Sequence, residues 1–205
     1  SLLSEQFDVN GFIKAQAAEI VIGAVDHYVR VANNYYLYFN PLTEKWIYMP
    51  NDFDFTFRDH HPLAWGTPEW AAAFRDIAGT YAFPENNKVH WAGRELGDVS
   101  PILWEIVFSD EDNKNLLYEH IRYIIDNYLE WSQVSEKLYT RNNLVRDAIN
   151  QTDAAPPGGC EVTYNPQAID AIDSTNLCDE KDISISRFIE LRIEALNEEL
   201  SNKGF

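Results

Sequence analysis

The sequence predicts an α+β fold, mostly helical and carrying one β-hairpin, and three observations predict it. Apolar residues recur at helical spacing near the start, over residues 113–149, and again at the end of the chain. Two ring-rich, β-prone segments, NYYLYF and EKWIYM, flank the turn residues NPLT. Strands and helices do not alternate in the way that builds a parallel nucleotide-binding sheet.

Taken in order, residues 8–25 place Phe12, Ala15, Ala18, Ile20, Ile22 and Val25 along a largely buried helix, with Asp8 or Asn10 to cap it and Gly23 near its end. DHYVRVAN follows as a loop. In NPLT, Asn40 precedes Pro41 at the second turn position, which closes a hairpin and sets Asn34 opposite residues 49–51. Asn34 and Asp52 should therefore arrive at the same end of it. Continued strand alternation would point Asp52 and Asp54 to one face, and Phe53 and Phe55 to the other.

Residues 58–101 mix Pro, Gly, His and Trp with no sustained period except a helical PEWAAAFRDIA, and read as a long ordered surface insert. The next helix carries Leu117, Ile121, Ile124, Ile125 and Tyr128 on one stripe, and its successor carries Val134, Leu138, Leu144, Val145 and Ile149. TDAAPPGGC breaks the chain and opens a Cys-containing loop over 153–182. A terminal helix with Ser residues to cap it repeats apolar side chains at Phe188, Ile189, Ile193, Leu196 and Leu200.

With 45% hydrophobic and 14% aromatic residues in 205, the chain can bury one substantial core or form part of a larger domain. Sixteen Lys and Arg against 33 Asp and Glu give a net charge of -17, which argues against nucleic acid as a partner. An anionic nucleotide is compatible with such a surface only through a divalent cation. No apolar run has the length of a membrane span, and the first residues read as the inside of something longer. Cys160 and Cys178 suit a disulfide in an oxidising compartment, with free thiols as the alternative; the NQT sequon at Asn150 agrees with secretion.

Two carboxylates, Asp52 and Asp54, with the amide of Asn34 across the hairpin, supply the hard oxygen ligands that Mg²⁺, Mn²⁺ or Ca²⁺ prefers. Alone, a D-x-D on an acidic chain more often marks solvated or capping acids. Asp26, just after the buried helix, stands where a catalytic-loop acid could orient an attacking hydroxyl, although a capping Asp explains it as simply. Adjacent His60 and His61 diverge on an extended backbone and have no partner at zinc-ligand spacing. Trp46, Trp65, Trp70, Trp91, Trp104 and Trp131 could form a carbohydrate platform, but packing accounts for most of them.

The order of GAVDHY, a short loop, NYYLYFNPLTEKWIYMPNDFDFTF, a polar insert, SPILWEIVF, LLYEHIRYIIDNYL and RFIELRIEAL resembles the CotH family of spore-coat-protein and secreted fungal kinases. The resemblance covers most of the chain and is most specific through Phe57. It implies a kinase-like C-lobe whose hairpin carries the metal-binding aspartates, with the chain as the catalytic half and an N-terminal lobe upstream. It further implies ATP with Mg²⁺ (or Mn²⁺ or Ca²⁺), serine phosphorylation on secreted or coat proteins, and a location that is secreted, at the cell surface or in the spore coat. On that pattern Asp52 is the principal metal ligand, Asp54 assists it, Asn34 holds metal and nucleotide from the catalytic-loop side, and Asp26 is the catalytic acid. Where the family usually has Pro-Trp-Asp, this chain has Asn51 before Asp52.

Two further readings belong to other classes. A surface adhesin or pseudokinase would use the same scaffold to bind a cell-surface protein through residues 58–101, without catalysis. A D-x-D nucleotide-sugar transferase would need the α/β pattern that is missing here.

Overall fold

The computed structural model describes residues 2–24, 27–31, 33–53, 56–57, 88–91, 94–98, 101–150 and 185–205. Its elements are α1 (Leu2–Gln6), α2 (Val9–Ile22), α3 (Tyr28–Val31), β1 (Tyr35–Asn40), β2 (Lys45–Pro50), β3 (Lys88–Trp91), β4 (Arg94–Asp98), α4 (Ile102–Val107), α5 (Glu111–Tyr128), α6 (Trp131–Asn150) and α7 (Ile185–Asn202). The described chain is mostly helical with antiparallel two-stranded hairpins, in line with the expected α+β class.

Helix α2 starts where a carboxylate can satisfy its first free amides: Asp8 accepts a hydrogen bond from Gly11 N at 3.0 Å. It stops at Gly23, whose φ of 64° is the left-handed conformation that a Cβ disfavours. There Gly23 N returns to Ile20 O at 3.2 Å and Ala24 N to Glu19 O at 2.9 Å, the paired bonds of a Schellman turn. Buried Arg192 of α7 donates from Nε to Ile20 O at 3.0 Å, and its Nη2 shares that carbonyl. A cation thereby sits at the negative end of the α2 dipole.

Phe12, Ile13, Ala17, Ile20 and Val21 bury α2 along its length, mainly against α5, which contributes Leu117, Tyr118, Ile121 and Ile125. Phe188, Ile189, Leu196 and Leu200 of α7 close the core. Full burial of each aliphatic side chain contributes roughly 1.5–3 kcal/mol. Tyr128, expected on the α5 stripe, is 56% exposed because the chain turns there and Leu129 fills the core position. Leu144, expected on the next stripe, is also exposed among the described residues.

The first hairpin has the expected register, from Tyr35 opposite Pro50 to Asn40 opposite Lys45. Its anchor is Tyr48, fully buried edge-on to Phe12 with ring centroids 5.1 Å apart. The other edge of β2 is tied to the chain start, where Asp8 N donates to Trp46 O at 2.9 Å and Lys45 Nζ to Ser4 O at 2.7 Å. Trp104 is buried as packing predicts, whereas Trp46 is half exposed on the hairpin.

Four elements depart from the sequence reading. α1 and α3 are too short, at five and four residues, to show a periodicity, and α3 occupies what reads as loop. Within the 58–101 insert, β3 and β4 pair antiparallel. The PEWAAAFRDIA segment, His60, His61 and the 153–182 loop with Cys160 and Cys178 lie outside the described residues. Among the described residues, no helix is long and apolar enough to cross a membrane.

Candidate functional site

The site is built on a charged residue in the core. Glu19 lies on the buried side of α2 and is 3% exposed. Burying a carboxylate is costly unless donors surround it, and here they do. Tyr48 Oη donates to Glu19 Oε1 at 2.9 Å, Gln16 Nε2 donates to Oε2 at 3.1 Å, and His27 Nδ1 faces Oε1 at 3.4 Å. Burial first, and then the neighbouring Glu19 charge, push the Tyr48 hydroxyl far above the usual phenol range. Burial likewise raises Tyr28, whose oxygen accepts from Leu103 N at 2.9 Å and so ties α3 to α4.

The far nitrogen of the same imidazole reaches the hairpin exit. His27 Nε2 lies 2.9 Å from the carbonyl oxygen of Asp52, and the ring packs on Phe53 with centroids 4.7 Å apart. Asn51 N donates to Asn34 O at 2.8 Å, which extends the pairing one step beyond the strands. Asn34 and the residue before Asp52 are thus direct neighbours, as the turn spacing predicts.

Strand alternation does not persist beyond Pro50. Asp52 has φ of 59° and Asn34 φ of 54°, both left-handed, a conformation that Asp and Asn tolerate better than most residues. A left-handed residue breaks the pleat, so the expectation that Asp52 and Phe53 keep to opposite faces of a continuing strand is corrected. Phe53 instead covers His27 while staying 42% exposed. The chain then returns to α2, where Phe57 N donates to Ile22 O at 2.9 Å and its ring meets Phe188 edge-on at 5.7 Å.

Of the four expected site residues, Asn34 and Asp52 are described and brought to one end of the hairpin. Asp26 and Asp54 lie outside the described residues. Asp52 is exposed at the surface, and with Asn34 it offers oxygen donors of the hard type that suits a divalent cation. Among the described residues, no group of three or more His, Cys, Asp or Glu side chains is close enough to hold a metal ion unaided. A ligand completing its shell, such as phosphate oxygens, fits that donor set.

Glu19, His27 and Tyr48 escape a motif search because they are separated in sequence and meet only in the fold. The available signal was Gln16 and Glu19, a polar pair three residues apart inside an apolar helix. A polar side chain at a core position needs a partner.

The described chain is thus a helical domain whose first hairpin brings the backbone of Asn34 and Asp52 to one end, over a buried polar cluster. The chain belongs to the CotH kinase protein family, whose model matches residues 1–193. That membership carries an atypical kinase-like function and, in general, ATP with a divalent metal. No curated protein and no solved structure matches the chain.

Proposed function

We propose that this chain supplies the metal-binding part of an atypical protein kinase that transfers the γ-phosphoryl group of ATP to serine on secreted, coat or cell-surface proteins. The observation that supports the reading is the bond from Asn51 N to Asn34 O, which sets Asn34 beside the residue before Asp52 at the hairpin exit, inside the family match. In this reading Asp52 and Asn34, with Asp54, hold Mg²⁺ or a similar cation, which when bound offsets the negative charge of the phosphates. Asp26 orients the acceptor serine and receives its proton. Serine oxygen attacks the γ-phosphorus, the bond to the β–γ bridging oxygen breaks, and ADP departs with the electron pair. The net charge of -17 makes such a bridge necessary, since an uncompensated acidic surface repels ATP.

Loss of one ligand should slow transfer on the order of a hundredfold or more. The test uses the full-length protein with labelled ATP, Mg²⁺ or Mn²⁺, and a serine-containing acceptor. Asp52→Asn should abolish metal-dependent phosphate incorporation while circular dichroism stays unchanged; parental activity in that variant would remove Asp52 from the role.

One observation favours a second reading, a pseudokinase or adhesin. Tyr36, Tyr38 and Met49 are exposed on the outward face of the hairpin and Leu42 is exposed at its tip, an apolar surface of the kind partners cover. Absence of ATP binding with every divalent cation, together with tight binding to a cell-surface protein, would favour it.

A further inference from the structure

We infer that His27 is a positioning residue for Asp52, seated on the buried Glu19 and holding the Asp52 main-chain carbonyl so that the adjoining carboxylate keeps one direction. This rests on the reading of Asp52 as a metal ligand and deepens it.

A non-glycine residue in the left-handed region is disfavoured, and it persists where the surroundings fix it. At Asp52 they do so from one side through Asn51 N on Asn34 O, and from beneath through His27 Nε2 at 2.9 Å. Because a carbonyl can only accept, Nε2 carries the proton.

The imidazole is itself fixed. It is 2% exposed, Phe53 covers one face, and Nδ1 is directed at a carboxylate that Tyr48 and Gln16 hold in place. The cluster therefore joins α2, β2 and the start of α3 to a single backbone oxygen. A core needing only stability would fill this volume with apolar side chains, which often equal or exceed buried ionic groups in stability. A rigid rod of polar contacts ending on Asp52 does something an apolar core cannot: it specifies the angle of the turn. Groups that orient a ligand from behind typically matter by ten- to a hundredfold in metal affinity.

Four measurements on the full-length protein test this, with Mg²⁺ and ATP as probes. His27→Leu fills the volume without a donor and should weaken Mg²⁺-dependent ATP binding in calorimetry about tenfold or more. His27→Gln, whose amide can donate to the same carbonyl, should recover most of that loss although it too gives up the Glu19 contact. Unchanged affinity in folded His27→Leu, or equal losses in both variants, would overturn the inference. Should His27→Leu not fold, the unmodified protein with labelled histidine decides: the His27 Nε2–H resonance should shift on saturation with Mg²⁺ and ATP, and a resonance that does not move overturns the clamp. Asp52→Ala separates the two ideas, because undiminished binding in that variant sinks the functional reading, whereas lost binding there with an indifferent His27 sinks only this one.

Discussion

Replacing Gly23 by alanine should destabilise the protein by about 2–5 kcal/mol, and the structure divides that cost into two parts. The first is conformational: Gly23 has φ of 64°, where a Cβ costs about 1–2 kcal/mol. The second is steric, because a Cβ built there would lie 2.8 Å from Cζ of Phe188 and 3.3 Å from Cε2, closer than carbon atoms approach. The Phe188 ring is buried between Phe57 and the core, so moving it is a repacking step of about 1–3 kcal/mol. For a domain of this size the sum lowers Tm by roughly 5–15 °C. Urea unfolding followed by circular dichroism gives the free energy directly. Gly23→Asn separates the parts, since Asn tolerates the left-handed conformation but still brings the Cβ; it should fall between wild type and alanine. A loss below about 1 kcal/mol for Gly23→Ala would refute both the close approach and the Schellman turn.

Other predictions follow from the polar core. Tyr48→Phe removes one of the donors to buried Glu19 and should cost about 1–3 kcal/mol in urea unfolding; a neutral substitution would mean that Glu19 does not depend on it. The raised pKa of Tyr48 and Tyr28 means that the folded state keeps protons which unfolded tyrosines lose near pH 10. Their contribution is therefore complete below about pH 10 and is lost as pH rises towards the folded values, so ultraviolet titration should show Tyr48 ionising only with alkaline unfolding and Tyr28 later than an ordinary tyrosine. His120, on a groove of about 590 Å³ that Lys14, Glu119, Tyr123 and Ile124 also line, has its pKa lowered, first by burial and then by the Lys14 charge. Its contribution is present above about pH 6.5 and is lost as pH falls through the lower folded value. His120→Gln should flatten the stability profile in that acid window, and an unchanged profile would contradict the assignment.

How much was legible depended on whether a signal lay within a few residues. Asp8, Gly23 and the apolar residues between them mark α2 because caps and periodicity are local, and the helix runs within the expected span. NPLT set the hairpin register because a short turn leaves little freedom. The left-handed turn at Asp52 was not legible, since alternation extrapolated from β2 gives no warning of where a strand stops. The side chain that contacts it, His27, lies 25 residues upstream. Tyr128 and Leu144 misled for a related reason. Helical spacing identifies a possible inner face, but the neighbouring helix decides how far along that face is covered. β3, KVHW, does alternate, but four residues are too few for the pattern to stand out, and β4, RELGD, carries a single large apolar residue.

The central claim is that one cation is gripped by both sides of the hairpin exit, Asn34 and Asp52, and brings ATP with it. Calorimetric titration of ATP into the full-length protein, with and without Mg²⁺, tests it most directly when repeated on Asp52→Asn, Asn34→Ala and the double variant. The account predicts binding only with the cation, a loss on the order of tenfold or more in each single variant, and a double variant little worse than either, because both residues serve one ion. Binding that ignores Mg²⁺, or single losses that simply add, would contradict it.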